Sequence, residues 1–207
     1  MKNNFFGKSV REMKYIRADR ICFDPRLDMS RIFVEGWFQW LKQLTKDKEK
    51  LVRAFAHCFV LENYYVAVAD GEVASFVAVT DRKSPFMALD KKVLRRELGL
   101  LRGTIAYGVV NKYLANPVYP FSLEAGTGSF DIVGTSPKFR GQGIGRGLML
   151  EAIKDRDYGK YVIETYDTNH SAIRLYEKVG FREFKRVPEK NKRAGFDYAV
   201  YLGLEVD

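Results

Sequence analysis

The sequence predicts a mixed α+β fold with its chemistry placed in the second half of the chain. Three observations predict it. Asp70-Gly71 joins two β-rich runs, residues 63–69 and 72–80, and Asp-Gly in that setting is a strong hairpin signal. Residues 129–187 read as strand, Gly-rich loop, helix, strand, helix and strand. Between these regions, residues 84–121 carry a helical pattern too long for an ordinary hairpin connection.

Taken in order, Lys14 to Ala18 reads as a short first strand. Met29 to Leu41 is rich in apolar and aromatic residues and reads as a helix, and Lys46 to His57 as a second. The hairpin follows. Within 84–121, Leu89 to Leu101 and Thr104 to Leu114 read as a helical pair joined around Arg102-Gly103 and stopped by Asn116-Pro117. Ser129 to Thr135 is a strand, and a Gly-rich loop leads to a helix over Ile144 to Asp155. Lys160 to Tyr166 is a strand. Asn169 to Val179 is a helix with Gly180 as its C-cap. Phe181 to Val187 and Phe196 to Leu202 close the chain as strands. The 207 residues suit one domain, 1–207, with the 84–121 insert inside it.

Composition narrows the function class. A content of 46% hydrophobic and 14% aromatic residues is that of a folded globular chain. No apolar run nears the ~18 residues of a membrane span, and Lys2, Lys8, Arg11, Lys14, Arg17 and Arg20 at the start do not read as a secretory signal. Cys22 and Cys58 lack C-x-x-C spacing, so no structural metal is expected, and two reduced thiols fit a cytoplasmic protein. The formal charge of +9 suits a polyanionic ligand or plain solubility. The basic residues, including those from Arg182 to Arg193, form no compact basic-aromatic block, and no nucleic-acid partner is expected.

The loop Arg140-Gly141-Gln142-Gly143-Ile144-Gly145 lies between a strand and a helix start. Small residues let backbone approach a ligand closely, and the helix N-terminus attracts anions through free N–H groups and its dipole. That suits phosphate. No Gly-Lys-Ser/Thr follows, and Arg146 occupies the place of a third glycine, so neither Walker A nor G-x-G-x-x-G is present. A glycine-rich turn without a ligand is the alternative.

Residues Val133 to Gly145 resemble the acyl-CoA signature of the GNAT superfamily of acetyl-CoA-dependent N-acetyltransferases, Arg/Gln-x-x-Gly-x-Gly/Ala. Asp167 to Phe181 resembles that family's Asn-x-x-Ala-x-x-x-Tyr-x-x-x-Gly-Phe, in the expected order. The resemblance covers about residues 129–187 and departs from a minimal member at the inserted helices. It implies a mixed, mostly antiparallel central sheet of about seven strands flanked by helices and splayed between the fourth and fifth. It implies acetyl-CoA as cosubstrate, with the pyrophosphate on amides from Arg140 to Gly145 and a strand bulge, for which Gly134 is a reasonable place. The amide near Thr135 would bond the thioester carbonyl, and Val133 would line the same slot. Asn169, Ala172 and Tyr176, spaced i, i+3, i+7, share one helix face. The family reading makes them a CoA contact, a gap for the cosubstrate and the general acid for the departing thiolate. From the residues alone, Asn169 reads equally as an N-cap and Tyr176 as a core aromatic.

An alkylammonium of pKa ~10.4 sits ~3.4 units above pH 7, so a base or a water relay is useful. Asp131 is the first candidate, four residues before Thr135 and on its face if the strand is regular. Glu124 and Glu164 follow, and His170 beside Asn169 reads as a solvent-facing helix start. The acceptor is expected to be a small-molecule or peptide amine. The insert is expected on the acceptor side of the site, with Arg95, Arg96 and Arg102 favouring an anionic group on the acceptor. A homodimer stays open. The rival reading is a non-catalytic acyl-CoA-binding regulatory module.

Overall fold

The computed structural model describes residues 13–115, 119–191 and 194–206. The stop expected at Asn116-Pro117, together with Lys2, Lys8, Arg11 and Arg193, lies outside them. Seven strands form one sheet in the order β1-β2-β3-β4-β5-β7-β6. They are β1 (Lys14–Arg17), β2 (Tyr64–Ala69), β3 (Glu72–Thr80), β4 (Thr127–Thr135), β5 (Lys160–Tyr166), β6 (Arg182–Pro188) and β7 (Tyr198–Glu205). All neighbours pair antiparallel except β4 and β5, which run parallel. The β2–β3 turn is the Asp70-Gly71 hairpin, with φ of 52° and 80°. Both values lie in the left-handed region that two-residue hairpin turns require.

Each face of the sheet carries its own core. On one face lie α1 (Arg26–Leu41) and α2 (Lys48–Ala56), whose Met29, Ile32, Phe33, Leu51 and Phe55 pack on Val66, Phe76, Ala78 and Ile132. On the other lie α5 (Ile144–Asp155) and α6 (His170–Val179). Ile144, Leu148, Met149 and Ala152 of α5 face Tyr65, Val77, Phe130 and Ile163 there. Ala172, Leu175, Tyr176 and Val179 form the apolar stripe of α6 at helical spacing.

The insert forms α3 (Lys91–Leu98) and α4 (Leu100–Val110), followed by a π-helical turn at Asn111–Ala115. The break between the helices falls at Gly99, where φ is 87°, and not at Arg102-Gly103. Gly103 is inside α4 for a different reason. A Cβ there would stand 2.5 Å from the Arg95 backbone, so the glycine permits the two helices to touch. The insert packs on the α1–α2 face. Leu94, Leu98, Ala106 and Val110 join that core, and His57 Nε2 at the end of α2 accepts the Asp90 N–H at 2.9 Å.

Candidate active site

The site begins where two strands part. β4 and β5 pair from Thr127↔Lys160 to Phe130↔Ile163 and no further. Beyond that point β4 stays with β3 to Thr135, while β5 stays with β7 to Tyr166. The sheet is therefore forked, and one edge of β4 from Asp131 onward faces a slot. Backbone alternation assigns that edge. The Ser136 N–H donates to Ala74 O on β3 at 2.9 Å, so by the two-residue period the N–H groups of Val133 and Thr135 point away from β3, into the slot.

The bulge expected at Gly134 is at Asp131 instead. Ala78 pairs with Ile132 and Val79 with Phe130, leaving Asp131 as the extra residue. Gly134 meets another need. A Cβ there would lie 2.8 Å from the Phe76 ring and 2.9 Å from Ile32 Cγ2, so the position has no room for a side chain. The bulge also overturns the shared face expected for Asp131 and Thr135. Thr135 looks toward α5, where its Oγ1 would be 3.4 Å from a Cβ on Gly145. Asp131 looks to the α1–α2 face.

Asp131 is anchored there. One carboxylate oxygen accepts from Thr80 Oγ1 at 2.5 Å. The other accepts from Arg82 at 2.8 Å and from Ser129 Oγ at 2.9 Å. Its side chain is 1% exposed, and burial pushes its proton affinity up against these three donors. Arg82 lies over the Tyr119 ring at 4.4 Å. Glu164 is the first β5 residue past the fork. It alternates with Ile163, which enters the α5–α6 core, so Glu164 faces the same side as Asp131. Burial raises its proton affinity too, while Tyr201 and Arg82 oppose the rise. Glu124 is on the surface, paired with Lys160 at 2.8 Å, and His170 is exposed at the start of α6.

The Gly-rich loop stands at the α5 end of the slot. Arg140 to Gly143 are exposed, and Gly143, with φ 78° and ψ 0°, is the N-cap of α5 and supplies no side-chain hydrogen bond. The first amides of a 12-residue helix thus lack a side-chain cap, which suits an anion. Arg140 Nε donates to Thr135 O at 3.1 Å and ties the loop to the end of β4. Gln142 turns back, its amide donating to Lys138 O at 3.0 Å. Gly145 is the meeting point of three elements, since a Cβ there would touch both Leu175 of α6 and Thr135 of β4 at 3.4 Å. Ile144 is buried in the core beneath.

On α6, Asn169 acts as the N-cap, its Oδ1 accepting from the Ala172 N–H at 3.3 Å and from Ser171 Oγ at 3.1 Å. Ala172 is half-buried at the core edge. Tyr176 is buried. Its ring lies 6.3 Å from Phe181, which lies 5.8 Å from Phe130 at the fork, and desolvation raises its hydroxyl pKa. The fork thus gathers Val133, Thr135, Gly145 and the α6 stripe on one side, and Asp131 and Glu164 on the other.

A family model described as an acetyltransferase (GNAT) domain matches residues 60–183. The chain belongs to the GNAT acetyltransferase family. Membership makes it an acyltransferase, and solved structures of low sequence identity share its fold. An N-acetyltransferase from Staphylococcus aureus Mu50 matches with a TM-score of 0.60 at 15% identity, covering 92% of this chain and 100% of that one. The ribosomal-protein-S18-alanine N-acetyltransferase from Escherichia coli matches with a TM-score of 0.51 at 13% identity, covering 95% of both chains. The structure of yncA from Salmonella typhimurium with its cofactor acetyl-CoA matches with a TM-score of 0.57 at 16% identity, covering 94% of both. No curated protein sequence matches the chain.

Sequence reasoning missed Arg82, Tyr119 and Tyr201. Tyr119 and Phe121 close the insert as an aromatic pair at 5.1 Å, and that pair was the available signal. Among the described residues, Tyr119 and Phe121 bring the insert's tail to the fork, while the principal neighbours of α3 and α4 are α2 and each other. Two of its three arginines, Arg95 and Arg96, are engaged within the insert. Arg95 Nε donates to Thr104 at 2.9 Å, Arg96 pairs with Glu97 at 3.0 Å, and Arg102 is exposed. No helix among the described residues is long and apolar enough to cross a membrane, and no three metal-ligating side chains gather there.

Proposed function

We propose that this protein moves the acetyl group of acetyl-CoA to a primary amine by direct attack in a ternary complex. The observation that carries the reading is the fork of β4 and β5, open beside an α5 N-terminus without a side-chain cap and flanked by carboxylates on the opposite face. The residues fit the cosubstrate. Amides from Arg140 to Gly145 suit a pyrophosphate, and Val133 and Thr135 aim N–H groups into the slot where a pantetheine arm would lie. Asn169 and Ala172 border it from α6.

The chemistry follows from the groups at hand. The amine lone pair forms the C–N bond at the thioester carbonyl, and the Val133–Thr135 edge supplies donors for the oxyanion. Tyr176 gives its proton to the departing sulfur. A thiol of pKa near ~8.5 needs only modest help at pH 7, so the acid accelerates the step without being indispensable. The carboxylates on the opposite face of the fork, Asp131 and Glu164, draw the cationic amine, and a carboxylate there receives its proton. No acyl-enzyme is required, and Cys22 and Cys58 lie outside this constellation. We read residues 1–207 as one acetyltransferase domain holding the 84–121 insert, acting in the cytoplasm, where its two free thiols stay reduced.

The test is release of CoA thiol when acetyl-CoA meets a panel of amines, peptides and aminoglycosides, with calorimetry of acetyl-CoA binding alongside. Binding with no release across the panel would favour a non-catalytic acyl-CoA module. Absence of binding would remove the reading altogether.

A further inference from the structure

The insert carries an apolar face that is open to solvent. Among the described residues, five of the nine exposed large apolar side chains lie between positions 100 and 113, and the other four are scattered over α1, β6, β7 and the residue after β7. The helix α4 has one charged residue, Arg102, in eleven. A helix of that composition is at home where it is covered on every side. Gly103, Ala106 and Val110 turn to α3 and the core, while Leu101, Ile105 and Val109, spaced i, i+4, i+8, form a stripe on the opposite side. Leu101 is 74% exposed and Leu100 beside it 71%, at the corner where Gly99 separates α3 from α4. Tyr113, four residues on from Val109, is 68% exposed.

Cations border the stripe. Residues 91–115 hold six Lys or Arg and one acid, Glu97, which Arg96 and Arg53 engage. Arg102 is exposed along one flank, three and seven residues from Ile105 and Val109. On the other flank Arg95 donates to Thr104 Oγ1 at 2.9 Å, and Lys91 stands over the Tyr107 ring at 5.7 Å. Lys112 lies over the Tyr113 ring at 4.9 Å. A second copy would bring this basic patch against itself, because a two-fold contact pairs the same surface on both subunits, and residues 99–113 contain no acid to receive it. An anionic layer with an apolar layer beneath it matches both features at once, and that is the make-up of an acidic lipid leaflet. At 11 residues α4 is about 16 Å long, far short of the ~30 Å hydrocarbon core, so it would lie along the surface and not cross it.

We propose that α4 docks this protein on an anionic membrane surface, with Leu100, Leu101, Ile105 and Val109 at the acyl boundary and Arg102 and Lys112 at the headgroup phosphates. The proposal is independent of the acetyl-transfer reading, and a peripheral contact with the anionic cytoplasmic leaflet agrees with action in the cytoplasm. Apolar burial and charge act together on such a surface, and each basic residue near it strengthens binding about fivefold. Gly108 separates this occupant from a second copy. It is exposed at the edge of the stripe, three residues after Ile105, and a Cβ there would meet nothing within 4 Å. A leucine at 108 would widen the stripe for a lipid layer, but would hold off a second helix that used the glycine for close approach.

The test is co-sedimentation of the full chain with vesicles of phosphatidylcholine alone and of equal parts phosphatidylcholine and phosphatidylserine, with sedimentation velocity of the free protein alongside. The protein should bind the anionic vesicles at least about tenfold more tightly than the neutral ones. Raising the salt should release it, as the Debye length shrinks from ~10 Å at 0.1 M to ~3 Å at 1 M. Leu101→Glu with Ile105→Glu should lower the affinity for anionic vesicles by about a hundredfold or more, since two apolar side chains are lost and two charges of the leaflet's own sign are gained. Arg102→Gln with Lys112→Gln should lower it by roughly twentyfold. Gly108→Leu should raise it by about tenfold. All five positions are exposed, and a cooperative unfolding transition certifies the fold of each variant. Failure to bind anionic vesicles, equal binding to neutral ones, or binding that survives the paired glutamates would overturn the proposal. A protein that ignores vesicles and sediments as a dimer, broken both by the glutamates and by Gly108→Leu, would overturn it in favour of a second copy. Acetyl transfer stands or falls separately from each of these outcomes.

Discussion

Replacing Gly143 with alanine separates the loop's conformation from its ligand. Gly143 has φ of 78°, where an L-residue is strained, and a Cβ built there meets nothing within 4 Å. The cost to the fold is therefore backbone strain alone, about 1–2 kcal/mol. For a chain of this size each kcal/mol lowers Tm by roughly 2–4 °C, so Gly143→Ala should melt about 2–8 °C below the wild type. The control is Gly126→Ala. Gly126 has φ of 80° with nothing within 4 Å, and it precedes β4 at the end remote from the loop. The two variants should melt alike. They should differ in acetyl-CoA affinity, because Gly143 caps the helix whose first amides would hold the pyrophosphate. A methyl group at that approach should cost at least about tenfold, or ~1.4 kcal/mol, by calorimetry. Equal affinity in the two variants would refute the placement of the pyrophosphate on α5.

Two further outcomes follow from α6. Tyr176→Phe keeps the buried ring and deletes the hydroxyl, so steady-state kcat should fall by roughly ten- to a thousandfold, near the ~10²–10⁴ of general acid catalysis, with acetyl-CoA affinity unchanged. Unaltered kcat would return Tyr176 to a packing role. Asn169→Ala removes the side-chain N-cap of α6 and should lower stability by about 1 kcal/mol in denaturant titration; a variant as stable as the wild type would show that the cap is idle.

What the sequence made legible was local. Ile144–Asp155 and Lys160–Tyr166 match the expected helix and strand residue for residue, because the glycine before the helix and the apolar period within it are both short-range signals. The forked sheet followed from two motifs taken together. A bulge in β4 was expected, but its place at Asp131 was not legible, since it is fixed by how β3 lies against β4, a pairing more than fifty residues apart in the chain. Glycines misled in one consistent way. Gly99 is required by its φ, whereas Gly103 and Gly134 are required by what touches them, and the letter is the same in each case. Arg82 had no signal of its own, being a loop residue given its role by Asp131, reached only through the sheet.

Arg82 carries a strain that can be measured. Its φ is 65°, in the left-handed region, at a cost of about 1–2 kcal/mol for a residue with a side chain. Two contacts hold it there. Thr80 Oγ1 accepts its N–H at 3.1 Å while donating to Asp131, and Asp131 pairs with its guanidinium. Arg82→Ala keeps the strain and leaves a buried carboxylate without its cation, so the loss should be near the 3–5 kcal/mol of a broken buried pair. Arg82→Gly loses the same cation but relieves the backbone, and should be more stable than Arg82→Ala by about 1–2 kcal/mol. The pH dependence has a definite sign. Burial already holds the folded-state pKa of Asp131 above its unfolded value, and Arg82 limits that rise. Without Arg82 the folded-state pKa goes higher, so stability is intact below the unfolded carboxylate pKa and is lost as pH climbs through the raised one. Both variants should therefore approach wild-type stability in acid and fall furthest behind near neutrality. Urea titrations at pH 4 and pH 7 measure this. A deficit independent of pH would mean that Arg82 serves Asp131 by packing on Tyr119 and not by its charge.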